Sequence, residues 1–384
     1  MMIGYGLGCV KTGGTDRQLL TCLNRSSMMV AVTCLVGDHG KMASVYFPEA
    51  SWGEPDPRPA GLDPTKLSAV RRWLDETWAP RPYRVAVVRH GHLAALWCRG
   101  CAPDTRRPMA SAAKSVYSSL LGIAIAEERI ASLDSRLVAY YPEAMDVPPG
   151  TGPKDGRHAF EKDRAITFRQ LISNTSGYMK PGEHPGEVFH YQTFGMNVVA
   201  HAIAKVYGLY DAADPARLPG LPALIDEKLR EPIGADWGYA IKNFSHAEGA
   251  RIGIWGNYTD LLNTPEEMAR LGWLWCQQGR WRDRQVIPAD YMRDATRTAS
   301  TIRAHCPPEQ WQYGYAFWTN DAGEMTPGLP RDAFAAMGAQ QNIIWVCPSL
   351  QLLVVNSLGP VLHSDDPHER VLPQQLARIV DACR

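Results

Sequence analysis

The sequence of 384 residues has no excess of charge, since 40 Lys and Arg stand against 40 Asp and Glu. Such a balance gives no electrostatic basis for general nucleic-acid binding or for docking on an anionic membrane. Long apolar runs are missing too. A membrane helix needs about 20 apolar residues in a row, and the nearest candidate, residues 28–36, is short and broken by Thr33 and Cys34. That stretch begins too far into the chain for an ordinary signal peptide, so a cytoplasmic protein is expected. Paired cysteine motifs are scarce. Nine cysteines are scattered, and only Cys98-Arg-Gly-Cys101 has a suggestive spacing, with no second pair or ligand histidines nearby. Reduced thiols, several of them buried, fit this pattern better than disulfides or zinc. His-Glu-x-x-His is absent, as is a Gly-x-Ser-x-Gly elbow, because Ser176-Gly177 lacks the preceding glycine. Neither a metal nor a cofactor is expected. Gly4, Gly6 and Gly8 follow no strand and precede no clear helix, so the run is read as accidental rather than nucleotide-binding.

What remains is the composition of a globular protein, 45% hydrophobic and 21% charged, long enough for one large domain or two interleaved ones. Residues 1–55 form an N-terminal extension of undefined role, either a lid or an added strand edge. After a Pro-rich joint, Leu67, Val70, Trp73, Leu74 and Trp78 recur at helical spacing and predict a helix over 64–78. A hairpin follows, with strands at 84–89 and 93–98 around His90-Gly-His92. The two turn histidines are read as solvated rather than metal-binding. Helical patterning occupies 111–130, and further helices are expected at 195–207, 221–229 and 264–278. Strands return at 313–318, 342–347 and 352–356, before a last helix at 373–383. Strands at both ends with helices between them predict an α+β fold: an antiparallel sheet, built from 56–140 and 300–384, carrying a mostly helical region at 141–299.

Ser111-Ala-Ala-Lys114 opens the helix after the hairpin, and a spacing of three puts hydroxyl and amine on one face. The positive end of the helix dipole favours negative charge developing at Ser111. A lysine whose burial lowers its pKa can act as the base that activates such a serine. A helix cap followed by a solvated lysine is the plain alternative, and the four residues alone do not decide.

The surrounding motifs do. Pro108-Met-Ala-Ser-Ala-Ala-Lys-Ser115, Leu121-Gly-Ile-Ala-Ile125, Ile166-Thr-Phe-Arg-Gln-Leu-Ile-Ser-Asn-Thr-Ser-Gly177, Pro185-Gly-Glu-Val-Phe-His-Tyr191 and Asn263-Thr-Pro-Glu-Glu-Met-Ala-Arg-Leu-Gly272 occur in that order. Together they resemble the serine β-lactamase-like superfamily, which holds class C β-lactamases, D-alanyl-D-alanine peptidases, family VIII carboxylesterases and 6-aminohexanoate-dimer hydrolases. The resemblance covers about residues 60–384. It implies a β-lactamase/transpeptidase-like fold, with Ser111 as the acylated nucleophile and Lys114 as the lysine of Ser-x-x-Lys. Tyr191 falls at the tyrosine of the Tyr-x-Asn motif. A nearby ammonium could pull its pKa down from about 10, making a phenolate base.

Two departures bear on the substrate. Thr193 stands in place of the motif's asparagine, keeping a hydroxyl but losing the paired donor and acceptor of an amide. The Lys-Thr-Gly strand motif aligns best with Ala336-Met337-Gly338, so the cation that would hold a substrate carboxylate is missing. Gly338 would admit a substrate, and the N–H near Ala339 would pair with that of Ser111 as an oxyanion hole. Gln341 and Asn342 replace the Gly-Gln common among the amide hydrolases. His184 and His190 lie near Tyr191 in sequence, but a histidine triad is the weaker reading.

The expected activity is hydrolysis of an ester or linear amide of a small, uncharged acyl group through an acyl-enzyme. Alternatives are acyl transfer, β-lactamase or peptidase activity, and a non-catalytic binding module. The expected partner is a small ester or amide, not nucleic acid or membrane, and a homodimer is left open.

Overall fold

The computed structural model describes residues 45–242, 252–339, 342–359 and 371–383. The Gly4 run, the apolar stretch at 28–36, Cys9, Cys22, Cys34 and Gln341 lie outside the described residues. Helix α1 (Pro64–Thr77) starts where Asp63 accepts hydrogen bonds from the Thr65 and Lys66 amides, with proline at the first position. Leu67, Val70 and Leu74 are its buried stripe. The hairpin follows as β1 (Tyr83–Arg89) and β2 (His92–Arg99). The short β3 (Arg107–Pro108) leads through a single 3-10 turn, Ala110–Ala112, into α2 (Ala113–Ala126).

The middle of the chain holds α3 (Phe168–Ile172), α4 (Phe194–Val206), α5 (Leu221–Ile225) and α6 (Glu231–Ile233). The helix expected over 221–229 is interrupted, because α5 passes into a wider turn at Asp226–Arg230. Then come β4 (Gly238–Lys242), α7 (Ile252–Trp255), β5 (Tyr258–Asn263) and α8 (Pro265–Cys276). The small hairpin β6 (Arg280–Trp281) and β7 (Arg284–Gln285) precedes α9 (Ala289–Ala295) and α10 (Ser300–His305). The chain finishes with β8 (Trp318–Thr319), β9 (Phe334–Gly338), β10 (Asn342–Cys347), β11 (Leu352–Ser357) and α11 (Val371–Asp381).

Six strands form the main sheet in the order β2-β1-β11-β10-β9-β8, and every recorded pairing in it is antiparallel. The N-terminal hairpin therefore closes against a C-terminal strand, with Val85 opposite Asn356. Every residue of β1 is buried, because both faces of the sheet are covered. Ala86, Val88, Ile344 and Val355 pack on one side with α2, α4 and α8, whereas Val85, Val87, Ile343 and Val354 pack on the other with α1 and α11. A second, three-stranded sheet runs β3-β5-β4. It lies beside the segment that enters α2. The fold is α+β, an antiparallel sheet with helices packed on both faces.

One expected strand is mostly absent. Of residues 313–318 only Trp318 is in a strand, since the Gly314 amide donates to Phe317 O at 2.8 Å and the chain doubles back. Ala316 takes a left-handed φ of 58° in that turn, which extended pairing cannot accommodate. The part of the N-terminal extension in view runs over α8. Trp52 Nε1 donates to Glu266 O and Trp273 Nε1 to Tyr46 O, each at 3.0 Å. No helix among the described residues is long and apolar enough to cross a membrane.

Helix α8 reaches the sheet closely because Gly272 has no side chain. A Cβ there would fall 2.7 Å from Ile344 Cγ2 on β10. Gly272→Ala should therefore cost about 1–3 kcal/mol of stability by overpacking. Urea unfolding followed by circular dichroism checks this, and an unchanged midpoint would contradict the packing described.

Candidate active site

The residues around Ser111 are bent before the helix begins. Ala110 adopts a φ of 51°, a left-handed conformation that non-glycine residues seldom take. This turn presents Ser111, half-exposed, one step ahead of α2, at the positive end of the helix dipole. Lys114, one turn on, is buried, with its own backbone flanked by Ala112, Ala113 and Val116. Its Nζ lies 2.6 Å from Ser111 Oγ, 2.9 Å from the Tyr191 hydroxyl and 3.2 Å from Thr193 Oγ1. Four residues picked from the sequence thus meet at one nitrogen.

Tyr191 arrives on the loop before α4. Asn174 fixes that loop on both sides of the tyrosine: its carbonyl accepts from the His190 amide at 2.9 Å, and its side-chain oxygen accepts from the Gln192 amide at 3.0 Å. The ring stacks on Trp318 at 5.9 Å and meets Tyr313 edge-on at the same distance. Thr193 sits at the cap position of α4, but its hydroxyl faces Lys114 instead of capping the helix.

Burial governs both ionisable groups. It pushes Lys114 down to about 7, against a weaker opposing pull from the Asp260 carboxylate. It pushes Tyr191 up to about 12, with a smaller opposite effect from contact with Ser111. Both shifts disfavour charge, so burial does not support the expected Tyr191 phenolate.

The far wall is β9. A Cβ on Gly338 would fall 2.2 Å from Met109 O and 2.9 Å from the Ser111 nitrogen, so only glycine lets the strand rest on the turn before α2. Pairing of Gly338 with Asn342 sets the register of this strand. Ala336 is buried and Met337 half-exposed, and neither brings a cation. Ala339 follows at the exposed end of β9, where its carbonyl accepts from Asn342 Nδ2 at 2.8 Å. The same Nδ2 donates to Pro108 O at 3.1 Å, tying the end of β9 to the approach to Ser111.

Other candidates lie apart from this cluster. His190 Nδ1 pairs with Glu183 Oε1 at 2.9 Å, and Glu183 also holds Lys180. Cys98 and Cys101 are free thiols. Among the described residues, no group of three or more His, Cys, Asp or Glu is arranged to hold a metal. Tyr258, Asp260, Tyr313 and Trp318 belong to the surroundings of the cluster and were not identified from the sequence. The local signal at Tyr258-Thr-Asp260 is only a short strand, and nothing in it indicates contact with Ala110.

A family model described as Beta-lactamase matches residues 70–369. No curated protein matches the sequence significantly. Among solved structures, a penicillin-binding protein homologue from Caulobacter crescentus is similar with a TM-score of 0.59 and 16% identity, over 83% of this chain and 98% of that one. A family VIII carboxylesterase gives 0.58 and 14%, over 84% and 97%. A Bacillus anthracis structure assigned as a 6-aminohexanoate-dimer hydrolase gives 0.55 and 17%, over 81% and 80%. At such identities these structures speak to the fold. Because the family match runs through both the sheet and the helical part and takes in the whole Ser111 cluster, the chain belongs to the Beta-lactamase family, a group of serine hydrolases.

Proposed function

We propose that this chain hydrolyses esters or linear amides of small, uncharged acyl groups through an acyl-enzyme on Ser111. The observation that carries the reading is a buried amine within hydrogen-bond reach of both a serine and a tyrosine hydroxyl. A neutral Lys114 has one lone pair and two N–H bonds. The lone pair takes the proton of Ser111 while the N–H groups stay with Tyr191 and Thr193.

Ser111 Oγ then attacks the substrate carbonyl, and the resulting oxyanion is held by the N–H groups of Ser111 and Ala339. Lys114, now an ammonium, passes its proton through the Tyr191 hydroxyl to the departing alcohol or amine as the tetrahedral intermediate collapses. Water enters next, gives its proton to Lys114, and attacks the acyl-enzyme. As the second tetrahedral intermediate collapses, Lys114 returns that proton to Ser111 Oγ, the acid is released and the enzyme is restored. The stacked rings of Tyr191 and Trp318 and the lack of a cation at Ala336 and Met337 favour an uncharged substrate over a carboxylate-bearing β-lactam.

With a short-chain p-nitrophenyl ester, Ser111→Ala should lose roughly a thousandfold or more in kcat while keeping its fold. Turnover equal to wild type would sink the mechanism. The pH profile has a defined sign. The base works only when unprotonated, so kcat/KM should rise through about pH 7 and fall away below it. Tyr191 adds no alkaline decline until about 12. An acidic limb far below 7 would instead point to a carboxylate base. Gly338→Ala should lower kcat by about 100-fold or more, because the added methyl displaces the strand from the nucleophile's turn. Intact mass after phosphonate labelling would report whether the serine remains reactive in that variant.

A further inference from the structure

The turn that presents Ser111 has a support that the proposed chemistry does not use. Strand β5 pairs with β3 at Arg107 and Pro108, and Leu261 O then accepts the Met109 amide at 3.0 Å. One residue further, the Ala110 amide donates to Asp260 Oδ1 at 2.9 Å, while the Tyr258 hydroxyl donates to Ala110 O. The left-handed residue is thus gripped at both ends by side chains of one strand. Asp260 is fully buried, and its other oxygen is held by Lys242 Nζ at 2.5 Å. The Lys242 side chain is 41% exposed and so reaches Asp260 from solvent.

A buried carboxylate is costly to desolvate, and an amide or hydroxyl could accept the Ala110 proton equally well. Its charge is what sets Asp260 apart. We propose that Asp260 is a positioning residue: it locks Ala110 in the conformation that aims Ser111 at Lys114, and its charge, shared with Lys242, sets the balance of charge around the amine. This rests on the serine-hydrolase reading above.

Among the described residues, Ser111 reaches Lys114 from the turn, Tyr191 and Thr193 from the loop before α4, and Tyr258 and the Asp260 charge from β5, with Tyr117 of α2 edge-on behind Tyr258. Lys242 of β4 stands behind Asp260. Burial raises Tyr117 and Tyr258 well above the ordinary phenol range, so both stay neutral. The charge acting on Lys114 is that of Asp260, which favours the ammonium.

Opposite shifts are the signature. Asp260→Asn keeps the acceptor for Ala110 but drops the charge, so the ammonium is less favoured and the acidic limb of kcat/KM should move down by about one pH unit. Lys242→Met leaves the carboxylate uncompensated and should move the limb up. Asp260→Ala also removes the acceptor and should lower kcat about tenfold or more, with KM changed by less than about twofold. A purely structural role would lower activity through stability without separating the limbs. Limbs that stay in place in both charge variants, or move the same way, would overturn the proposal. Should Asp260→Asn fail to fold by thermal melt, the half-exposed Lys242→Met still gives a decisive shift. Ser111→Ala run alongside separates the two failures: full activity there sinks the hydrolase reading, whereas lost activity with unmoved limbs sinks only the role of Asp260.

Discussion

The dehydration of one amine organises the centre of this molecule. Lys114 is buried on α2 with its nitrogen over the Tyr191 and Tyr258 rings, and among the described residues it bonds only to the hydroxyls of Ser111, Tyr191 and Thr193. A carboxylate in direct contact would hold the ammonium and remove its basicity. Hydroxyls satisfy either protonation state, so burial is left to decide, and it favours the neutral form. Asp260, which could have reversed that balance, is kept at one remove by the Ala110 amide and by Lys242.

Keeping water from that amine requires walls that meet closely, and two strands from different sheets provide them. β9 presses its glycine against the turn from the main sheet, and β5 grips the same turn from the smaller one. Asn342 links the end of β9 to Pro108 by a single side-chain nitrogen that serves two carbonyls. Ser111 therefore stands where two sheets converge. Its unusual backbone conformation is sustained by contacts from both.

Features governed by local spacing could be read from the sequence. The three-residue interval between Ser111 and Lys114 puts them on one face in any helix, and the apolar runs of β10 and β11 announce buried strands. Tyr191, Thr193 and Gly338 were placed through resemblance, and the structure brings Tyr191 and Thr193 to the lysine and Gly338 to the serine. Features governed by distant contacts were not readable. The sign of the shift at Tyr191 depends on how deeply its neighbours bury it, which no local pattern states. Asp260 looks like an ordinary strand residue until β5 is paired with β3. At Tyr313–Trp318 the alternation of aromatic residues suggested a strand, but the residues fill an aromatic cluster around a tight turn.

The pairing of β1 with β11 has a consequence for how the chain is made. The hairpin near the start has no partner on its inner edge until the C-terminal strands are synthesised, because Val85 to Arg89 wait for Leu352 to Asn356. Sheets closed by such remote contacts form slowly, since loop closure must precede the reward of burial. During translation α2 emerges early, before α4, α8 and the C-terminal strands that pack on its apolar surface. Nascent chains and C-terminally shortened products would thus expose that surface to chaperones and proteases, and Ser111 would acquire its setting only once β9 is added.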